Sequence, residues 1–402
     1  MKLVNGQAER KKRNRTTRLN DPQMRGYIYQ LLTLAVVVLL LWYVWNNIVH
    51  NLARTNMSVG FEFLHGRAGF EIAQSLIAYT SDSSYRQALY VGLTNTLIVA
   101  TAGIVTATIL GVLLGVGRLS HNWIVSRLCT AYIELFRNIP PLLLIFFWYL
   151  GVLSLLPSIR MVVKSTNIDS DALLFVTNRG FYIPKPVVDN GFEWTTAAFF
   201  IGLLILIAAS MWNNRRQRKT GRRMDILLPG IVAIICLSAF VFFMAGMPLR
   251  FDYPIPSAFN IKGGAVISPE FFSLYLGLSL YTASFIAEVV RAGIRGVPNG
   301  QSEAAQALGL TASQTVRLIV LPQALRIVIP PLTSQYLNLI KNSSLAVAVG
   351  YADVVAVGGT ILNQTGRSIE IIAIWMLIYL SISLGTSLFM NWFNTKMAFV
   401  ER

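Results

Sequence analysis

Few residues in this chain can do chemistry, and several of them sit where they are expensive. Glu288 lies inside an apolar run, with Ser284 and Tyr281 at the spacing that places all three on one helical stripe. An ionisable side chain at membrane depth costs about 2.5–3.5 kcal/mol on insertion scales, so its position needs a reason. Two readings fit Glu288: a cavity wall that meets an ammonium group, or an i, i+3 ion pair with Arg291 at the interface. Asn95, flanked by Thr94 and Thr96, offers an amide either to a ligand carboxylate or ammonium or to a neighbouring helix. Glu134 and Arg137 stand i, i+3 apart just before Pro140 and Pro141, which break the helix, and are expected to form an interfacial ion pair. Lys341 in LIKNSS reads as a snorkelling or paired cation.

No catalytic constellation accompanies these groups. The sequence has no G-x-x-x-x-G-K-[ST] loop to cradle nucleotide phosphates. His50, His65 and His121 are scattered, and Cys129 and Cys236 lack metal-ligand spacing. Any chemistry that drives this protein is expected on a partner chain.

One stretch stands apart, VPNGQSEAAQALGLTASQTVRLIVLP at 297–322. Pro298 suits a first helical position, and Glu303 falls in the early turns. Ala304, Ala307 and Leu308 share a face. Gly309 can close the helix in the left-handed conformation. Thr311 and Gln314 have the spacing of a capping box, so a second helix starts at once and ends at Pro322. The expectation is two short helices joined by a glycine elbow. Small side chains let such a helix seat in a groove on another protein, and Glu303 adds one directed contact to an Arg or a backbone N–H. An amphipathic helix lying on a membrane surface fits the same residues equally well.

The surroundings of these residues are membrane. Of 402 residues, 54% are hydrophobic and 13% charged, well below the usual quarter. Apolar runs reach the length of about 20 residues that a helix needs to cross a bilayer. Eight segments are expected, at about 28–49, 88–117, 128–156, 196–212, 226–246, 270–292, 324–345 and 369–393. The chain thus reads as an all-α polytopic membrane protein. The first run is long for a signal peptide and no cleavage site follows it, so it is kept as a membrane helix. The net charge of +16 would suggest nucleic acid in a soluble protein. Here it is read as topology, with no nucleic-acid partner and anionic membrane lipid as the contact of the basic tail. Placing the N-terminus in the cytoplasm puts 22 Lys and Arg inside and 10 outside, with both termini cytoplasmic. RRQRKTGRR (215–223) would be especially hard to translocate.

The expected organisation is a basic cytoplasmic tail (1–27), an N-terminal helix with a periplasmic segment (28–87) and the first part of a core (88–156). An insertion with two transmembrane helices (157–269) and the second part of the core (270–398) follow, the latter carrying the cytoplasmic loop 297–322.

The pattern EAA, three residues, G, nine residues, I-x-LP occurs as Glu303, Ala304, Ala305, Gly309, Ile319, Leu321 and Pro322. It resembles the cytoplasmic-loop signature of ABC importer permeases. GLTNTLIVATAGIVTATILGVLLGVGRLS (92–120), IELFRNIPPLLLIFFWYLG (133–151), YTASFIAEVVRAGIRGVPNGQSEAAQALG (281–309) and LPQALRIVIPPLTSQYLNLIKNSSLA (321–346) resemble the polar amino-acid uptake branch, of histidine/glutamine type. The extra N-terminal helix and the insertion depart from the family's five-helix core and resemble the long membrane subunit of general L-amino-acid permeases.

The resemblance implies a bacterial inner-membrane, multi-pass permease subunit that moves L-amino acids from periplasm to cytoplasm by alternating access. A separate ATPase would dock on the coupling helix through Glu303, Ala304, Ala305, Gly309 and Pro322. It implies an ABC ATPase dimer carrying ATP and Mg, no cofactor in this chain, a second homologous permease subunit and a periplasmic amino-acid-binding protein. The early part of the second segment would line the translocation path, which makes Thr94 and Asn95 candidates for it, beside the Tyr281, Ser284 and Glu288 stripe. The rival reading is a stand-alone secondary transporter or channel driven by an ion gradient.

Overall fold

The computed structural model describes residues 22–54, 60–165, 173–221, 224–257 and 260–397. Most of the expected tail (1–21), two positions of the basic run (222 and 223) and the end of the expected second core part (398) lie outside the described residues. Among the described residues, eight helical stretches are long and apolar enough to cross a membrane, and each overlaps an expected segment. Contacts divide the chain into Met1–Gly66 and Arg67–Arg402. In the first unit, α1 (Pro22–Arg54) is a 33-residue helix, and a 3-10 turn follows at Glu62–His65.

The second unit begins with a loop, 67–84, that sequence reasoning grouped with the first helix. Ala68 is buried, and its N–H donates to the Ser83 carbonyl. Ser84 then caps α2 (Tyr85–Arg118) by accepting from the Gln87 N–H. One face of α2 is small: a Cβ on Gly111 would stand 2.6 Å from the Ile286 side chain, and one on Gly115 2.6 Å from the Ala287 carbonyl. That face lets α2 pack closely on α8, the most buried span. Next comes α3 (Trp123–Asn138), capped by Asn122. The expected 128–156 span is not one helix. Pro140 forces Ile139 into extended backbone (φ −99°, ψ 129°), and the apolar span restarts as α4 (Pro141–Phe146), a π turn (Phe147–Val152) and a 3-10 turn (Leu153–Leu155).

The insertion begins with α5 (Ile159–Ser165), β1 (Phe175–Thr177), β2 (Gly180–Ile183) and β3 (Lys185–Val188). Its two long helices are α6 (Phe192–Thr220) and α7 (Leu227–Met244). The first runs well beyond the expected 196–212, because Arg, Gln and Lys are good helix formers and only Gly221, at φ 71°, stops it. Then follow β4 (Leu249–Asp252), β5 (Ile255–Pro256), β6 (Ile261–Lys262) and β7 (Ala265–Ile267). The two polar loops therefore pair with each other across the helices: β2 lies antiparallel to both β1 and β7, and β3 to β4.

The rest of the unit is helical. Ser268 caps α8 (Pro269–Arg295). After it come α9 (Asn299–Ala307), α10 (Ala312–Thr315), a π turn (Val316–Val320) and α11 (Leu321–Asn342). A 3-10 turn (Ser343–Val349), α12 (Val354–Thr365) and α13 (Ser368–Met397) complete the chain. The core joins Val99, Leu274, Leu278, Ile286, Ile329 and Leu339, from α2, α8 and α11.

Candidate functional site

The loop 297–322 is two helices and an elbow, as its residues imply. Pro298 holds the cap position of α9, one place before the expected first helical position. At the other end the Leu310 N–H donates to the Ala305 carbonyl and the Gly309 N–H to that of Gln306, a Schellman closure with Gly309 at φ 82°. A Cβ on Gly309 would meet nothing within 4 Å, so backbone conformation alone demands glycine there. The Thr311 hydroxyl and the Gln314 side chain complete the capping box.

Pro322 does not end the second helix. Its missing N–H falls in the first turn of α11, and the helical path widens into the π turn just before it. Only that widened stretch has to accommodate a ring that would clash with the carbonyl four residues earlier.

The three alanine-rich positions face in different directions. Ala305 is 3% exposed and seats α9, which packs on the Val316–Val320 turn. Glu303, Ala304, Ala307 and Leu308 are exposed, with Leu308 at 83%. The loop is thus held through one face and presents another, which carries a carboxylate, two methyl groups and a leucine.

Glu288 lies two turns before α8 ends and joins three helices. Its carboxylate pairs with Arg291 on its own helix and with Arg118 at the end of α2, 2.7 Å away. Arg118 also reaches Glu134 of α3 at 3.3 Å. The expected Glu134–Arg137 pair is replaced by this cross-helix contact. Arg137 instead lies 5.4 Å above the Phe285 ring, because it faces α8. The Tyr132 hydroxyl of α3 donates to the Leu280 carbonyl.

Along the stripe Tyr281, Ser284, Glu288, the first and last are half-buried and the middle one is fully buried. Ser284 is fully buried and donates to the Tyr281 carbonyl, while Tyr281 lies against Phe285. Lys341 is exposed on α11.

Asn95 is 2% exposed, and its amide nitrogen donates to the carbonyls of Gln74 and Ala352, both at 2.9 Å. It ties the 67–84 loop and the segment before α12 to α2. Thr94, on the neighbouring side of α2, is half-buried, and its hydroxyl donates to the Tyr90 carbonyl.

Sequence reasoning passed over the groups that Asn95 meets. The Thr96 hydroxyl accepts from the Val354 N–H, and the Tyr351 hydroxyl donates to the Asn95 carbonyl. Asp353 is 1% exposed and caps α12 through Oδ1 and the Ala356 N–H, while Oδ2 has no partner among the described residues. Burial pushes its carboxyl up to about 7, against a lowering by the backbone N–H groups it accepts from. The signal was present: an Asp directly before an apolar run is a helix-start signature.

Residues 107–399 match the family described as binding-protein-dependent transport system inner membrane component. The chain is 56% identical, over 95% of its length and 94% of the relative's, to the general L-amino acid transport system permease protein AapQ of Rhizobium johnstonii. It is 46% identical, over 95% of its length and 96% of the other's, to the putative amino-acid ABC transporter permease protein YhdX of Escherichia coli. It is 41% identical, over 95% and 99%, to the glutamate/glutamine/aspartate/asparagine transport system permease protein BztB of Rhodobacter capsulatus. Eight apolar helices and a relative that matches almost end to end lead to one assignment: the chain belongs to the inner-membrane components of binding-protein-dependent transport systems, a multi-pass ABC permease subunit and not an enzyme, with its ATPase and binding protein on other chains.

Proposed function

We propose that this permease subunit imports L-amino acids from periplasm to cytoplasm and that α9 is the helix through which an ATPase drives it. The observation that carries the reading is the two-sided seating of α9. Ala305 fastens it to the chain, while Glu303, Ala304, Ala307 and Leu308 are left for a partner. Gly309 fixes its angle to the next helix, and Pro322 opens α11 below it.

In this reading a periplasmic binding protein delivers the amino acid, and ATP with Mg binds two ATPase subunits. Their closure moves α9 and shifts the bundle between outward- and inward-facing states, a coupling free energy between two sites. A second homologous permease completes the path, both termini face the cytoplasm, and loop 297–322 lies with them. The relatives' names, which specify amino acids, support the substrate class. An ion-driven stand-alone transporter is not favoured for a member of a binding-protein-dependent family.

Replacing Glu303 with Arg, or Gly309 with Val, tests the reading in cells that express the whole transporter. ATPase co-purification and uptake are expected to fall together, by about tenfold for the loss of one charge-assisted contact. Normal uptake with normal ATPase binding in both variants would sink the coupling role.

A further inference from the structure

A second polar site lies at the other end of α8. Glu270, in its first turn, is 18 residues from Glu288, or roughly 27 Å along a helix. There the insertion, the loop 67–84 and the stretch after α4 enclose a cleft of about 570 Å³, within the usual size range for small-molecule sites. Arg179 and Glu270 are the charged residues that line it, one of each sign. Among the described residues neither is in a salt bridge, although the Tyr149 hydroxyl donates to Glu270 Oε1 at 3.3 Å. Leu153 and Val266 supply apolar wall.

The walls are tied into the core rather than laid over it. Arg179 sits in the turn between β1 and β2, where buried Thr177 accepts from the Arg179 N–H and donates to the Gly180 carbonyl. β2 pairs with β7, and the Gln74 side chain donates to the Val266 carbonyl of β7. Asn95 in turn holds the Gln74 carbonyl. The insertion and the 67–84 loop therefore form one hydrogen-bonded rim around the two charges, which is the preorganisation a binding site needs.

We propose that this cleft binds a zwitterionic α-amino acid with an uncharged side chain. The Arg179 guanidinium takes the α-carboxylate, a planar pairing that suits arginine. Glu270 takes the α-ammonium, and the apolar wall takes the side chain. A second charge on the ligand would find no further oppositely charged side chain among the lining residues. The assignment rests on the amino-acid import reading above, and it gives the insertion a role in receiving the substrate.

The test is equilibrium binding of radiolabelled L-glutamine to the full chain in lipid nanodiscs. Saturable binding is expected, displaced by L-alanine but not by butanoate or butylamine, each of which carries one head group. Arg179→Ala and Glu270→Gln should each weaken it about tenfold or more, while Arg179→Lys and Glu270→Asp should retain part of it. Thermal unfolding of each variant checks the fold. Absence of saturable binding, or unchanged binding in both Arg179→Ala and Glu270→Gln, would overturn the proposal. Co-purification of the ATPase separates the two readings: a chain that binds its ATPase and imports amino acids, yet binds L-glutamine equally well without Arg179 or Glu270, loses the cleft and keeps the coupling role.

Discussion

Glu288 and Arg118 stand 2.7 Å apart although 170 residues separate them in the chain. The pair fastens the end of α2 to α8, and Arg118 extends it to Glu134 on α3. Three helices are thereby joined about two turns before α8 ends, ahead of the loop that carries α9.

Truncating either partner should cost more than losing an exposed pair, because the side chains of Glu288 and Arg118 are only 24% and 20% exposed. Glu288→Ala and Arg118→Ala are each expected to destabilise by about 1–3 kcal/mol. The double variant should lose less than the sum, with a coupling of about 1 kcal/mol. Thermal unfolding of the four proteins in nanodiscs measures this, and strict additivity would show that the contact contributes nothing.

Close approach of α2 and α8 depends on Gly111 and Gly115, where an added Cβ would stand 2.6 Å from Ile286 and from the Ala287 carbonyl. Gly111→Val or Gly115→Val should lower stability by on the order of 3 kcal/mol and reduce the yield of monodisperse protein. Gly385 on α13 has nothing within 4 Å of its would-be Cβ. Gly385→Ala should be neutral or stabilise by about 0.5–1 kcal/mol.

Asp353 makes stability depend on pH. Its carboxyl is raised from 3.8 to about 7, chiefly by burial, so the folded state holds a proton that the unfolded chain has released across that window. The contribution is complete below pH 3.8, falls as pH rises, and is gone above about 7. The full span amounts to on the order of 4 kcal/mol. Among the described residues, the phenols of Tyr351 and Tyr379 lie within electrostatic reach of Asp353. Asp353→Asn keeps a cap of similar quality and should flatten the profile. An unfolding midpoint whose pH slope survives the substitution would assign the effect to another group.

Much of this protein was legible from local pattern. Eight apolar runs are a property of consecutive residues, and the bilayer leaves a helix as the only way for each to satisfy its backbone. Gly309, Thr311 and Gln314 act within a few residues of one another, so the elbow of 297–322 could be read directly and is found with its hydrogen bonds in place. Pro140 and Pro141 marked the break between α3 and α4 for the same reason, although the apolar run around them read as one span.

What the chain order conceals is which groups meet across long separations. Glu134 has Arg137 one turn away, yet pairs with Arg118, because the packing of α2, α3 and α8 decides which cation faces it. The Asn95 amide nitrogen is engaged by two backbone carbonyls, one of them 257 residues away, which no local pattern announces. The strands that bring Arg179 and Glu270 to one cleft pair residue 181 with 267 across two long helices. Hydrogen bonds and ion pairs form between neighbours in space, and only the packed bundle makes these residues neighbours.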